Sequence, residues 1–384
     1  MQRRDFFYLG SALAAVTSPI RLLAGNKPSN HPGRLNPRID FIHDGLQLSP
    51  KEYAELLMKL ADESKIKPDY YSNGGVVEEL EAKFASLMGK EAAIFMPTGT
   101  LANHIAIRHL AQTDRRVILQ EQSHLYNDSG DCAQTLSGLN LIPLGLNAVD
   151  FSLQEVEAIV EKTKRGRVET RVGVISVESP VRRQNDRMFN FERMKSISGY
   201  ARENDIRMHL DGARLFVQSV HTAIPPSVYG ELFDTVFISL WKFFNAASGA
   251  VITGSKAFAD NLFNERRMFG GGLPASWAFA AVALHYADQF IDEYAASWNK
   301  ARAIFTHLQN DNRVEVVYFE NGSHIIRLNL TDVDLERFSE SLRKRSIEMP
   351  KPDGQGFFLK INPSLNRDSA ESVTGYFMEA LKQS

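Results

Sequence analysis

The chain has 384 residues, 43% of them hydrophobic, enough to bury a large core in one bigger and one smaller domain. Its 44 basic and 46 acidic side chains nearly cancel and form no Lys/Arg stripe, which disfavours a nucleic-acid partner and favours a small molecule. A single cysteine, Cys132, excludes an internal disulfide framework and any multi-cysteine metal site; no metal is expected, and Cys132 reads as a small packed residue.

Residues 1–25 read apart from the fold. Arg3-Arg4-Asp5-Phe6-Phe7 precedes a mildly apolar run, Leu9 to Val16, that is too short to span a bilayer. Paired arginines, an aromatic and an apolar stretch resemble a twin-arginine export signal ending near Ala24-Gly25; a disordered extension is the other reading. Export, to a periplasmic space, is the expectation, with the cytoplasm as the alternative and no membrane embedding of the mature chain. Residues 26–37, rich in Asn, Pro, Ser and Gly, read as a linker.

Helical and strand patterns then alternate. Val77 to Met88 has apolar residues at helical spacing, and Ala92-Ala93-Ile94-Phe95-Met96 is a strand-like run. Pro97-Thr98-Gly99-Thr100 makes a turn into a helix from Leu101 to Leu110. Arg116 to Leu119, Leu141 to Leu144 and Val172 to Val177 predict further strands, Pro143 demoting the second to a sheet edge. Helices are predicted over Leu153 to Thr163 and Met194 to Asn204, and buried strands over Ile206 to Leu210 and Thr235 to Ser239. Such alternation implies a mainly parallel α/β sheet with helices on both faces, a large domain over residues 38–285. Beyond it, a long helical stretch from Phe279 to Leu308, strands at Val314 to Tyr318, His324 to Leu328 and Gly356 to Ile361, and a terminal helix from Asp368 imply a smaller α+β domain over 286–384.

Two strands end in chemistry. Asp211 follows the first of the buried pair and Lys242 the second, and open α/β sheets bind ligands just beyond the carboxyl ends of their strands. An amine and a carboxylate there suit pyridoxal phosphate, which needs the amine to hold its aldehyde and the carboxylate to keep its ring nitrogen protonated. Each residue alone also fits a bland role: a lysine reaching solvent, an aspartate capping a turn. Arg214 follows on the same side; Thr98-Gly99-Thr100 offers free amides at a helix N-terminus to a phosphate, and Ser239 a hydroxyl. His124, after a strand, suits either ring stacking and proton movement or an ordinary loop histidine. Arg266-Arg267 with Gly270-Gly271-Gly272 reads as an anion site or as a solvated helix end before a loop.

In this order the segments resemble the threonine aldolase and β-eliminating lyase family of fold-type I pyridoxal-phosphate proteins. The likeness rests on Glu79-Leu80-Glu81, Gly89 to Ala93, Met96 to Asn103, Ser123 to Asn127, Ser239 to Lys242, Arg266 to Gly272 and, above all, Leu210-Asp211-Gly212-Ala213-Arg214-Leu215-Phe216. It implies a seven-stranded-type sheet and a lysine, Lys242, bonded to the cofactor. It also implies Asp211 at the ring nitrogen, Arg214 beside the ring oxygen, His124 stacked on the ring, and Gly99, Thr100 and Ser239 at the phosphate. Tyr71 matches a tyrosine that a neighbouring subunit lends in the family's homodimers and homotetramers. The implied reaction cleaves a β-hydroxy-α-amino acid to glycine and an aldehyde. β-Elimination or racemisation on the same scaffold is one alternative, and an exported binding protein without turnover is another.

The departures lie on the substrate side. His43-Asp44 stands where the family has Ser-Asp, Arg182 and Arg183 fall in a changed segment after Glu178, and Pro274-Ala275 replaces an Arg-Gln pair. Phe243-Phe244 follows the lysine, and Lys360 stands near an expected carboxylate-binding arginine. Arg182 or Arg183 is the expected substitute for that clamp, because a planar guanidinium grips a carboxylate with two bonds.

Overall fold

The computed structural model describes residues 39–384, so the export-signal and linker readings fall outside the described residues. The described chain opens with a two-residue strand, β1 (Ile39–Asp40), and a helix, α1 (Pro50–Asp62), started by a capping box between Ser49 and Glu52. Helix α2 (Gly75–Leu87) buries Val76, Val77, Leu80 and Phe84 along one face, as the spacing predicts.

Seven strands form the central sheet: β2 (Ala92–Met96), β3 (Arg116–Gln120), β4 (Asn140–Leu144), β5 (Val172–Glu178), β6 (Arg207–Asp211), β7 (Thr235–Ser239) and β8 (Ala250–Gly254). Their spatial order is β2-β8-β7-β6-β5-β3-β4. The run from β7 to β4 is parallel, whereas β8 is antiparallel to both of its neighbours. Strands β5, β7 and β8 are buried along their whole length, in keeping with their mainly apolar residues. Pro143 sits on the edge strand β4, where a missing N–H costs no ladder bond.

The C-terminal part adds an antiparallel sheet of β9 (Val314–Tyr318), β10 (Ile325–Leu330) and β12 (Gly356–Lys360), in the order β12-β10-β9. A short β11 (Ile347–Glu348) pairs in parallel with β1. Ile39 and Phe41 thereby join a core otherwise made by residues after Ala301.

The stretch from Phe279 to Leu308 is two helices, Trp277–Ala287 and Phe290–Leu308. The polar pair Asp288-Gln289 divides them: Asp288 reaches out to Lys83, and the chain turns so that Phe290 and Tyr294 enter the main core. Strand β8 and helix α1 had no counterpart in the sequence reading. Among the described residues no helix is long and apolar enough to cross a membrane.

Candidate active site

Parallel strands aim their carboxyl ends at one edge of the sheet, and there the residues after β2, β3, β5, β6 and β7 converge. Helix α3 (Gly99–Ala111) starts at this edge, with the Thr98 hydroxyl capping the Leu101 N–H at 3.3 Å. Gly99 lies so close to Phe237 that a Cβ would sit 2.8 Å from its ring, so only glycine lets the helix start press onto β7. A four-residue helix, α4 (His124–Asn127), follows β3 and carries His124.

The resulting cleft has two lobes that share His124, Arg182, Arg214, Trp241 and Lys242. The first, about 400 Å³, is walled by Thr98, Gly99, Thr100, Asn103, Glu178 and Asp211. The second, about 550 Å³, is walled by His43, Asp44, Asp128, Asp186, Ile325 and Lys360. Both volumes suit a small-molecule ligand.

Lys242 stands where the lobes meet, its ammonium 5.0 Å from the Trp241 ring centre. Burial, reinforced by the Arg214 charge, lowers its pKa to about 8. Asp211 is buried and accepts bonds from Asn103 Nδ2 at 2.7 Å and the Ala213 N–H at 3.2 Å. Asn103 is held in turn by His209, whose Nε2 lies 2.9 Å from Asn103 Oδ1 and whose Nδ1 lies 2.8 Å from Thr235 Oγ1. Burial brings His209 down to about 4, so the ring is neutral and its Nε2–H serves Asn103. The carboxylate is therefore fixed through three residues.

Beside Asp211, in register on the neighbouring strand, lies the buried carboxyl of Glu178. Burial and then the Asp211 charge push it up to about 8. Arg214 is also buried; its guanidinium lies 2.8 Å from Asp44 and 3.4 Å from Asp186. Burial opposes its charge, yet Asp186 and Asp44 raise its pKa further. Asp44 accepts from Arg214 and Lys360, each at 2.8 Å, and lies 3.2 Å from His324 Nε2. Burial works against the Asp44 charge, but Arg214, His324 and Lys360 hold its carboxyl well below the ordinary carboxylate range. Asp44, Asp186 and His324 are close enough to share a cation, and the positive charge that they face is already supplied by Arg214 and Lys360.

Gly99, Thr100, His124, Asp211, Arg214 and Lys242 thus come together in the first lobe, and His43, Arg182 and Lys360 in the second. Three other expected residues stand off the cleft walls. Ser239 ends β7, buried, its hydroxyl without a partner among the described residues. Arg183 turns to Asp128 and Gln122, both at 3.4 Å. Tyr71 is held by Pro274 and Arg266 through its backbone, with Arg267 over its ring at 4.7 Å. The anion-site alternative for Arg266 does not hold: the side chain is buried and donates to the carbonyls of Phe95 (2.7 Å) and Tyr71 (3.0 Å), tying two segments together.

Asn103, Glu178, Trp241, Asp186 and His324 were not assigned site roles from the sequence, whereas Asp44 was placed on the substrate side beside His43. Asn103 and Glu178 carried a signal: one lies a turn into the helix that starts at Gly99, the other ends a strand as Asp211 does. Asp186 and His324 carried none.

Fold and site together define a fold-type I pyridoxal-phosphate protein, with a lysine and an aspartate at the carboxyl edge of a seven-stranded sheet. The β-eliminating lyase family matches residues 60–328, and the chain belongs to that family, which is dependent on pyridoxal phosphate. It is 30% identical over 237 residues to the low-specificity L-threonine aldolase of Candida albicans, a match covering 61% of this chain and 63% of that one. To the low-specificity L-threonine aldolase 1 of Arabidopsis thaliana it is 22% identical over 324 residues, covering 83% and 90%. The solved threonine aldolase of Leishmania major shares the fold at a TM-score of 0.66 and 15% identity, over 90% of this chain and 99% of that one.

Proposed function

We propose that the chain is a pyridoxal-phosphate-dependent carbon–carbon lyase of the threonine aldolase type, cleaving a β-hydroxy-α-amino acid to glycine and an aldehyde. The observation that carries this reading is the meeting of Lys242, Asp211 and Arg214 in one lobe, opening onto a second lobe lined by charged residues of both signs, Arg182 and Lys360 among them. Family membership and the aldolase relatives support it.

The residues present fit the cofactor. The buried Ser239 hydroxyl has no partner among the described residues, Thr98, Gly99 and Thr100 line the first lobe at a helix N-terminus, and the donor set pairs an amine with a fixed carboxylate. Lys242 would hold the cofactor covalently, Asp211 its ring nitrogen, and Gly99, Thr100 and Ser239 its phosphate. When bound, pyridoxal phosphate supplies an electron sink for the pair left at Cα when the Cα–Cβ bond breaks.

Lys242, with its lowered pKa, keeps a usable fraction of neutral amine near neutral pH and is the group that a substrate amine displaces. His124, shared by both lobes, is in place to take the β-hydroxyl proton, directly or through a water. Lys360, Arg182 and His43 line the lobe in which the substrate carboxylate would be gripped. Asp211, held between Asn103 and the Ala213 N–H, would face the ring nitrogen and favour its protonated form.

Purified protein with pyridoxal phosphate, assayed against threonine and other β-hydroxy amino acids for glycine, aldehyde and pyruvate, tests the reaction. Glycine with aldehyde supports the lyase; pyruvate from serine favours β-elimination, the reading that the family's own description supports. Two further parts of the proposal are a homodimer or homotetramer that lends Tyr71 across an interface, read by light scattering, and export through Arg3-Arg4, read by fractionating cells that carry Lys at both positions.

A further inference from the structure

Glu178 is built into the cleft in a way that the reaction does not yet use. Its backbone is clamped from both sides by the Gln120 side chain, which accepts from the Glu178 N–H at 2.9 Å and donates to its carbonyl at 2.7 Å. The carboxyl is therefore aimed from a rigid strand end. Its Oε2 accepts the His124 N–H at 2.5 Å and its Oε1 the Arg182 N–H at 2.9 Å. One buried group thus holds the first residues of two separate loops, both of which wall the two lobes.

The same two loops meet again at the rim. Arg182 lies 2.8 Å and Arg183 3.4 Å from Asp128, which follows α4. Those pairs are exposed and worth little on their own. The base is different: the Glu178 carboxyl is buried, so an N–H that loses it gives up a bond to an acceptor fixed in place.

We propose that Glu178 is a positioning residue for His124, holding the His124 and Arg182 loops in register so that the imidazole meets cofactor and substrate at one fixed place. The proposal rests on the lyase reading of this cleft. Above pH about 8, where the Glu178 carboxyl is ionised, a glutamine at 178 tests it with little change of volume, because it offers one acceptor where two N–H groups need one each. Its NH2 then faces a second donor, and one loop is released.

The experiment uses the full chain, with and without pyridoxal phosphate, as wild type and Glu178→Gln. Amide hydrogen exchange at His124 and Arg182 is expected to speed up by roughly tenfold or more, while amides of β6 and α3 hold. With cofactor, kcat is expected to fall by about tenfold or more with KM changed far less, and the affinity for pyridoxal phosphate to weaken. A merely structural role would lower the melting temperature and leave the kcat-to-KM split and the cofactor affinity of the folded fraction alone; that result overturns the proposal. So does unchanged exchange at both amides. Glu178→Asp, too short to reach both loops, gives the same readouts if the glutamine variant fails to fold. Failure of the lyase reading looks different: the wild type itself then takes up no pyridoxal phosphate, and the role for His124 falls with it.

Discussion

The two lobes of the cleft are built by opposite strategies. The first is made almost wholly at strand ends of one sheet, where Glu178 and Asp211 close buried strands and Lys242 follows another, inheriting its rigidity. The second is assembled from pieces far apart in the chain: His43-Asp44 after β1, Asp186 in a loop, His324 before β10 and Lys360 ending β12. What joins those pieces is charge. Arg214 belongs to the first lobe by position and to the second by its partners, Asp44 and Asp186. Chemistry common to a family can sit on the sheet, while selectivity can change in segments that the sheet does not constrain.

The largest effect falls on the first lobe. Lys242→Ala removes both the covalent attachment and a proton carrier, so activity is expected to drop by on the order of 10³-fold or more, with loss of the visible absorbance of bound cofactor. Retained absorbance and turnover would break the assignment. Asp211→Asn keeps the shape and loses the charge, and a fall of roughly 10²-fold in kcat is expected, since a single preorganised electrostatic partner is worth that much. An equal loss from Asn103→Ala would show that fixing the carboxylate matters as much as its charge.

In the second lobe the first expected loss is stability. Asp44→Ala leaves Arg214, Lys360 and His324 without their shared anion, and removing one partner of a buried pair costs about 3–5 kcal/mol. The sign of the pH dependence follows from the depressed Asp44 carboxyl. Its contribution is present above the ordinary carboxylate range and is lost as pH falls through its native value. Melting temperature measured down the acid range should therefore drop less steeply in Asp44→Ala than in wild type. Parallel curves would remove Asp44 from the list of acid-sensitive contacts.

How much could be read beforehand follows the same division. Lys242 and Asp211 were legible because a buried strand announces itself by a short apolar run, and its carboxyl end is where a sheet of this kind binds. Gly99 and Thr100 were legible as a turn opening a helix. Strand β8 was not, although Ala250 to Gly254 is buried throughout, because its antiparallel course has no helix before it to mark a crossover. His324 and Asp186 were illegible for another reason. Nothing local distinguishes them, and their meeting with Asp44 depends on β1 pairing with β11 across the length of the chain. Ser239 shows the limit at finer scale: the strand was right to the residue, but which way its last hydroxyl faces is a matter of packing.

A smaller effect tests the junction of the lobes. Capture of pyridoxal phosphate by cofactor-free protein needs the neutral Lys242 amine, so its rate should rise with pH and level off above about 8, where burial and Arg214 have brought that amine. Glu178 titrates near the same pH, and its charge, once formed, pulls the lysine back up. The rise should therefore be broader than a single titration, and Glu178→Gln should narrow it. A rate that keeps climbing to the ordinary lysine range would place the amine in water rather than in the cleft.

The smallest contrast separates two adjacent arginines. Arg182 lines both lobes and spends one amino group on Asp128, which leaves the rest of its fork for a carboxylate. Arg183 lines neither lobe, is exposed, and touches only Asp128 and Gln122 at the limit of hydrogen bonding. Arg182→Ala is expected to raise the substrate KM by about tenfold, the low end for a lost charge-assisted bond, with kcat nearly unchanged. Arg183→Ala should leave KM within about twofold and stability within about 0.5 kcal/mol, as for an ordinary surface change. Equal effects would mean that the pair acts only through Asp128, at the rim of the cleft. An effect of neither would move the carboxylate grip to Lys360 and His43, the remaining cationic donors on that wall.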